Sequence, residues 1–475
     1  MSKNIFWLIG SVLMITSTFC LANDTVPDKS KQALAAYIAE PENIDQPWVL
    51  NNKRYDDTRH VTIETYTLHS QHWPKANMSH HGALWQHALI IYQPDTIKTK
   101  QALLFVNGGT RNAHPQEPNP PHHLLDLARL AAETHSIVVD LQDIPNQYLS
   151  FEDSVLRKED SIVAYTWNRY MDDPDNGSYW PLQLPMTKAV IKAMDATQQI
   201  MLQKNNTQIE HFVVAGLSKR GLATWLAALA DERINAIIPI VIDMLNVKDN
   251  LNLIYTSYNN SWPPALHSFA EENIPARINT PEFERLMNIV DPLNYLSGDN
   301  AEHYAKRLAI PKYIISASGD DFFVPGSLNL YLKQLPGETH VRVVPNQAHY
   351  IDMKVVEDSI LPFYQMIIHN TERPALNWNV NQNGGIASVT TNQQPVSVKL
   401  WEAENAEVRD FRLAADIRFH ATELAGTCEE NDCHYPVTIN RPQKGWKASF
   451  VEVTFEQTDS EPLILSTSTY VLVAG

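Results

Sequence analysis

The feature that most constrains the fold of this chain is an alternation of apolar, strand-like runs with helix-like segments between residues 84 and 370. The runs are rich in Val and Ile and lie at 87–93, 102–108, 136–142, 211–218, 236–243, 312–319 and 341–347. Their nearly continuous apolar character is typical of strands buried on both faces of a mostly parallel sheet. Helical spacing in residues 185–203 and 221–231 completes the pattern of an α/β domain over 84–370.

The segment between the strand runs 236–243 and 312–319 is too long to be an ordinary loop. It lacks strong strand patterns, and it predicts a helical cap inserted at about 244–310. Its aromatic residues, Tyr255, Tyr258 and Trp262, are expected to shape a substrate pocket.

The two ends of the chain follow other patterns. From 374 to 475 short alternating runs are separated by turn residues without a convincing helix, which predicts an all-β sandwich. Residues 23–83 predict an extension that packs on the α/β domain, with a short helix at 31–42 and an antiparallel edge strand at 60–73.

The first 22 residues have the pattern of a secretory signal peptide. Lys3 gives the positive end, an apolar stretch follows, and Cys20-Leu21-Ala22 offers a small-x-small cleavage site after Ala22. A lipid attached to Cys20 is the alternative, but the bulky Phe19 fits a lipoprotein signal poorly. We therefore expect a periplasmic or secreted protein without a stable membrane anchor.

Removal of that segment leaves two cysteines, Cys428 and Cys433. A close, even pair in an exported chain predicts a disulfide that closes a small surface loop. A zinc site is the alternative, although a lone pair without further Cys or His at ligand spacing is weak evidence for it.

Charge and missing motifs exclude several classes of function. The net charge is −17, from 37 Lys and Arg against 54 Asp and Glu, so nucleic acid is not an expected partner. Neither a GxGxxG after a strand, nor a phosphate loop, nor an HExxH occurs, so we expect no cofactor and no metal. The loose histidines are interpreted as solvated loop residues: His80, His81, His114, His122 and His123.

The strongest local motif is Gly216-Leu217-Ser218-Lys219-Arg220-Gly221, between a buried strand and a helix. A nucleophilic serine on such a sharp strand-to-helix turn needs small neighbours. The second glycine comes one position later than usual, because Arg220 stands in its place. The alternative is that Ser218 only caps the helix.

Acidic and histidine candidates follow in the order used by α/β-hydrolases. The run 312–319 leads into Asp320 and Asp321, and the run 341–347 leads into His349. A serine needs a histidine base, and a carboxylate orients that histidine. We predict a triad of Ser218, His349 and Asp320, with Asp321 as the second candidate acid and Asp291 a distant third.

An oxyanion hole needs backbone N–H groups near the nucleophile. We expect these from Lys219 and from the Gly109–Thr110 segment, which follows the run 102–108. Arg220 beside Ser218 is a candidate ligand for a substrate carboxylate, and a salt bridge with a neighbouring acid is an equal alternative.

Several long motifs in order resemble the PhoPQ-activated pathogenicity-related family, which also includes autocrine proliferation repressor proteins. They lie at 213–225, 234–246, 290–296, 310–327 and 335–350. The resemblance implies an α/β-hydrolase-like domain and favours Asp320 as the acid, and the family's name implies a role in virulence.

These features predict an exported serine hydrolase that acts on ester or amide bonds of a small molecule or peptide. The alternative is a non-catalytic binding or signalling protein on the same scaffold, since a fold alone does not prove catalysis. The C-terminal β region is a candidate site for a protein or glycan partner.

Overall fold

The computed structural model describes residues 29–75, 78, 84–111, 125–458 and 460–475. The predicted signal peptide, its cleavage site, and the loose histidines at 80, 81, 114, 122 and 123 lie outside these ranges.

A twisted sheet of nine strands organises the described part of the chain up to residue 344. In chain order the strands are β1 (Trp48–Asp56), β2 (Val61–His72), β3 (Leu84–Pro94), β4 (Gln101–Val106), β5 (Ile137–Leu141), β6 (His211–Leu217), β7 (Ile234–Ile240), β8 (Lys312–Ala317) and β9 (Thr339–Val344). Their order across the sheet is β1-β2-β3-β5-β4-β6-β7-β8-β9. Strands β1, β2 and β3 pair antiparallel with one another, and β3 is also antiparallel to β5. The six strands β4 to β9 are parallel.

The described ranges contain ten α-helices, and helices cover both faces of this sheet. They are α1 (Ala33–Ala39), α2 (Leu127–Thr134), α3 (Asp160–Asp172), α4 (Gln183–Asn205), α5 (Lys219–Ala230), α6 (Val247–Ser257), α7 (His267–Glu271), α8 (Pro281–Val290), α9 (Ala301–Leu308) and α10 (Met353–Ile368). Leu104 and Val106 of β4 pack in the core on the side of α4 and α5, whereas Leu103 and Phe105 pack in the core on the side of α2 and α10. Both faces of the parallel strands are therefore buried, which explains their continuous apolar runs and confirms the predicted α/β class.

The N-terminal region adds strands to the sheet. The run at 60–73 forms β2, but it is not an edge strand as predicted, because β1 pairs with its outer side. Most residues of β1 are exposed, so this strand lacks the apolar alternation by which the sequence could have indicated it.

Between β7 and β8 the chain forms the helices α6 to α9. Two of them, α7 and α8, pack against α3. Within the described ranges, no helix has both the length and the apolar character needed to cross a membrane.

Two antiparallel sheets follow, as predicted for an all-β region. Their strands are β10 (Leu376–Val380), β11 (Ile386–Thr391), β12 (Ser397–Asn405), β13 (His420–Glu423), β14 (Thr427–Glu429), β15 (Asp432–Pro436), β16 (Trp446–Phe455), β17 (Leu463–Ser466) and β18 (Tyr470–Val473). One sheet has the order β10-β11-β15-β14, and the other has β13-β12-β16-β17 with β18 paired to β16. Val389 and Tyr435 of the first share a core with Leu400 and Val453 of the second.

The C-terminal sheets pack directly on the end of the large sheet. The Tyr313 hydroxyl of β8 donates to the Ile464 carbonyl at 2.5 Å, and the Val343 amide of β9 donates to Ser466 Oγ at 2.8 Å. The C-terminal region is thus anchored next to the loops that leave β8 and β9.

The predicted disulfide is present. Cys428 of β14 and Cys433 of β15 face each other across the hairpin, and their sulfur atoms are bonded at 2.02 Å. With both sulfur atoms used in this bond, the zinc alternative is excluded for the pair.

Candidate active site

Ser218 lies at the tip of a tight turn between β6 and α5. Its backbone has φ 55° and ψ −128°, a strained conformation for a residue other than glycine. A Cβ atom at Gly216 would lie 2.7 Å from the Arg220 carbonyl oxygen, and one at Gly221 would lie 2.8 Å from the Gly216 carbonyl oxygen. Both positions therefore need glycine, which explains the displaced second glycine of the motif. The Ser218 side chain makes no capping bond to α5.

The Ser218 hydroxyl instead contacts His349. Its Oγ lies 3.0 Å from His349 Nε2, and His349 Nδ1 lies 3.0 Å and 3.1 Å from the two carboxylate oxygens of Asp320. Asp320 is 3% exposed and His349 is 7% exposed. The described structure therefore brings the three predicted residues into one hydrogen-bonded chain.

Local contacts hold the acid and the histidine in place. Asp320 Oδ1 accepts hydrogen bonds from the amides of Phe322, at 2.7 Å, and Phe323, at 3.1 Å. The Phe322 ring packs on the imidazole of His349, with ring centroids 4.3 Å apart. Since Asp320 lies in the loop after β8 and His349 lies in the loop after β9, the parallel strands deliver both side chains to the same edge of the sheet.

The other two candidate acids have different surroundings. Asp321 is more exposed than Asp320, and partial burial together with the charge of Asp320 raises the pKa of its carboxyl above the usual value. Asp291 is buried, and its carboxylate accepts hydrogen bonds from the amides of Val247 and Leu293 at 2.8 and 3.0 Å. Asp291 thus caps α6 and the short helical turn that follows α8.

The proposed oxyanion segment also reaches the site. Gly109 has φ 144°, and a Cβ atom there would lie 2.3 Å from Asp143 Oδ1, so this position requires glycine. Gly109 and Lys219 line the same cavity as Ser218. Thr110 follows Gly109 but is not among the described residues that line this cavity.

The cavity has a volume of about 470 Å³. Most of the surface of its described walls is hydrocarbon, and the polar side chains come from the loop after β4, the turn between β6 and α5, the loop after β9 and the start of α3. The lining residues are Val106, Asn107, Gly108, Gly109, Glu159, Asp160, Leu217, Ser218, Lys219, Arg220, Val241, Phe322, His349, Tyr350, Ile351 and Met353.

Arg220 lines the cavity, but its guanidinium is already paired. Its Nη2 donates to Glu159 Oε1 at 2.5 Å, and its Nε donates to the Ile144 carbonyl at 2.5 Å. Lys219 Nζ lies 2.6 Å from Glu159 Oε2 and 3.0 Å from Asp160 Oδ1. The predicted basic spot beside Ser218 is therefore neutralised, and the salt-bridge alternative for Arg220 describes this structure better than an empty carboxylate site.

No sequence pattern indicated Glu159 and Gln147, which organise this part of the cavity. Burial alone would raise the pKa of Glu159, but Arg220 and Lys219 lower it well below its usual range, so the carboxylate stays charged. Gln147 Nε2 donates to Glu159 Oε1 at 2.8 Å and to the Gly109 carbonyl at 2.9 Å. These residues come from one irregular segment without a recognisable motif, so only the tertiary structure reveals them.

The aromatic residues of the insertion do not line this cavity. The prediction that they shape the substrate pocket was therefore wrong. Among the described residues, no lining side chain comes from 244–310. Tyr258 and Trp262 instead line a separate groove with Asp410 and Arg412 of the C-terminal region. The guanidinium of Arg412 lies over the Tyr258 ring, 4.7 Å from its centroid.

Comparison with known proteins finds a sequence relative over most of the chain and more distant solved structures. Autocrine proliferation repressor protein A of Dictyostelium discoideum is 31% identical over 447 residues, which cover 88% of this chain and 85% of the relative. Among solved structures, acetyl xylan esterase 1 from Thermoanaerobacterium sp. JW/SL YS485 has a TM-score of 0.45 and 13% identity, covering 72% of this chain and 94% of that one. A glucuronoyl esterase from Solibacter usitatus has a TM-score of 0.42 and 11% identity, covering 72% and 92%.

The likeness to those two esterases is too distant to transfer their activities. The family described as PhoPQ-activated pathogenicity-related protein matches residues 34–412. This match includes Ser218, Asp320 and His349 with the turns that hold them, and it agrees with the relative that matches over 88% of this chain. The chain therefore belongs to the PhoPQ-activated pathogenicity-related protein family.

Proposed function

We propose that this protein is a serine hydrolase that cleaves ester or amide bonds through an acyl-enzyme. The observation that carries the proposal is the position of His349, which hydrogen-bonds Ser218 Oγ on one side and the Asp320 carboxylate on the other. A serine on a strained turn, with a histidine base and a buried carboxylate, is the arrangement that activates a hydroxyl for attack on an acyl carbon.

The chemistry follows from the hydrogen-bond directions. The Asp320 carboxylate accepts a hydrogen bond from His349 Nδ1–H. The neutral imidazole therefore presents an unprotonated Nε2 to the Ser218 hydroxyl. Ser218 Oγ forms a bond to the acyl carbon while His349 takes its proton, and the leaving group then departs with that proton. A water molecule next attacks the acyl-enzyme with His349 as base, and the proton returns to Ser218 as the acid product is released.

The backbone N–H groups of Lys219 and of the Gly109 segment are the proposed donors to the oxyanion. The carbonyl of Gly109 is tied to Gln147, and the Lys219 side chain is tied to Glu159, so both segments are held before substrate arrives. Donors that are fixed in advance need no rearrangement as negative charge develops, which is the main advantage of such a site.

The proposal includes export by the N-terminal segment, to the periplasm or beyond, and a role in virulence such as the family's name suggests. The bonded Cys428–Cys433 pair supports an oxidising compartment. A protein or glycan partner for the C-terminal sheets remains part of the proposal. A non-catalytic binding protein on the same scaffold is the competing function.

Labelling with a fluorophosphonate probe tests the proposal. We expect the purified protein to be labelled, and the Ser218→Ala and His349→Ala variants to lose the label, because the probe reacts only with an activated serine. Circular dichroism of each variant controls for folding. A folded, unlabelled wild-type protein would contradict the hydrolase proposal and favour the binding function.

A further inference from the structure

The walls of the Ser218 cavity are largely hydrocarbon. Six of its 16 described lining residues have apolar side chains. They are Val106, Leu217, Val241, Phe322, Ile351 and Met353. A volume of about 470 Å³ lies in the range of sites that enclose a small organic group.

One of these apolar side chains, that of Val241, stands on a strained backbone. Val241 has φ 44°, which is a genuine outlier for a β-branched residue. A strained residue of this kind persists only where its surroundings impose it. Its amide donates to the Ile315 carbonyl at 2.7 Å, directly after β7, and its side chain is buried. The fold thus holds an apolar side chain at this wall.

The charges of the cavity cancel one another. The carboxylates of Glu159 and Asp160 face the cations of Lys219 and Arg220 at distances of 2.5 to 3.0 Å. Burial alone would lower the pKa of Lys219, but the two carboxylates raise it, so the ammonium stays charged and paired. Among the described lining residues, no unpaired cation is left for a substrate carboxylate and no unpaired carboxylate for a substrate amine.

In an acyl-enzyme the acyl group is bonded to Ser218 Oγ and must lie in the space around that atom. Resting on the function proposed above, we infer that this cavity accepts an uncharged, aliphatic acyl chain, and that it discriminates against acyl groups that end in a charge. Bringing an ionic group into such an apolar space without a partner is unfavourable, whereas each buried methylene is favourable.

A series of p-nitrophenyl esters tests this inference, because the leaving group stays constant. We expect kcat/KM, corrected for spontaneous hydrolysis, to rise from acetate through butyrate to hexanoate, by up to about fourfold per buried methylene. Mono-p-nitrophenyl adipate has the hexanoate chain with a carboxylate in place of the terminal methyl group. We expect it to react at least about tenfold more slowly than hexanoate.

A charge-altering variant makes the test specific to this cavity. Glu159→Gln keeps the shape of the side chain but leaves the cations in excess, so we expect the adipate-to-hexanoate ratio of kcat/KM to rise at least about fivefold. The ratio is internal to each protein, so a general loss of activity cancels. Glu407→Gln is the matched control, because Glu407 is an exposed glutamate paired with Lys444 in the C-terminal region. It should leave the ratio unchanged.

The outcomes separate the two proposals. A labelled protein that prefers acetate to hexanoate, or that cleaves adipate as fast as hexanoate, overturns the inferred acyl preference but leaves the hydrolase function standing. An adipate-to-hexanoate ratio that does not change in Glu159→Gln overturns the argument from paired charges. A folded protein that takes no fluorophosphonate and cleaves none of the esters overturns both.

Discussion

Two adjacent aspartates differ in what they contact, and this difference has a measurable consequence. Asp320 is buried against His349, while Asp321 is more exposed. In Asp320→Asn the amide oxygen or nitrogen would replace a charged acceptor and disturb the imidazole tautomer. We expect kcat to fall by about 10⁴-fold in Asp320→Asn and by less than about tenfold in Asp321→Asn, measured on the best ester. Equal losses in the two variants would contradict the assignment of the acid.

How much of the site the sequence could predict depends on where each residue lies along the chain. Ser218, Asp320 and His349 each follow a recognisable buried strand, and parallel strands deliver such residues to one edge. The partner of Arg220 could not be predicted, because Glu159 lies in an irregular segment whose path depends on tertiary contacts. Charge counting therefore gave a basic spot where the folded chain has a neutral cluster.

At the level of elements, burial explains which predictions succeed. Strands β4 to β9 are buried on both faces and have continuous apolar runs, so the sequence indicates them. Strand β1 forms the exposed edge of the sheet, so its residues carry little apolar pattern. The insertion between β7 and β8 is helical as expected, but local periodicity does not say against what it packs, and the pocket prediction for Tyr255, Tyr258 and Trp262 was wrong for that reason.

The turn between β6 and α5 provides a prediction at the same scale. Gly221 is inside a helix, where Ala normally stabilises the helix by about 1 kcal/mol relative to Gly. Here a Cβ would lie 2.7 Å from Ile242 Cγ2 and 2.8 Å from the Gly216 carbonyl, so the strand and helix would have to separate. We expect Gly221→Ala to lower the free energy of unfolding by about 1–3 kcal/mol, measured by urea denaturation, and to slow labelling of Ser218.

The matched control for this substitution is Gly385→Ala. A Cβ at Gly385 would meet its nearest neighbour at 3.4 Å, an ordinary contact, and its φ is not in the left-handed region. We expect Gly385→Ala to change the free energy of unfolding by less than about 1 kcal/mol. If Gly221→Ala were as stable as Gly385→Ala, the close packing of the turn would not be the reason for glycine there.

For the whole molecule, a buried carboxyl group makes stability depend on pH. Burial raises the pKa of Asp243 to about 7, while the same side chain titrates near 3.9 in an unfolded chain. Between these values the folded protein keeps a proton that the unfolded chain releases, so this group lowers stability as pH rises from about 4 to 7, and the effect levels off above 7.

Replacing Asp243 with Asn should remove this dependence. The amide oxygen can still accept the hydrogen bond that Tyr331 donates to Asp243 Oδ1 at 3.2 Å. We expect the stability of Asp243→Asn relative to wild type to rise by up to about 3 kcal/mol between pH 5 and pH 8, measured by urea denaturation. Asp299→Asn is the exposed control and should show no such rise. A constant difference across this range would show that Asp243 does not retain its proton in the folded state.

The C-terminal region also takes part in building the candidate active site. Asn346, in the loop before His349, has φ 55°; its Nδ2 donates to the Phe419 carbonyl at 2.9 Å, and its Oδ1 accepts from the Phe419 amide at 2.8 Å. On the neighbouring loop, a Cβ at Gly319 would lie 2.9 Å from Leu413 Cγ. The segment around 413–419 therefore supports the loops of both Asp320 and His349.

Support of this kind predicts a catalytic effect from a residue that touches no substrate. Asn346→Asp retains the tolerance for left-handed backbone but cannot donate to Phe419, and displacing a catalytic group by about 1 Å can cost about 100-fold in rate. We expect kcat to fall by about 10- to 100-fold with little change in KM. Asn329→Asp is the matched control, because Asn329 Nδ2 donates to the Thr469 carbonyl at 2.8 Å and so joins the same two regions elsewhere. If both variants lost stability equally and kept the same kcat, the C-terminal sheets would act only as an anchor; a selective loss of kcat in Asn346→Asp would make them part of the catalytic framework.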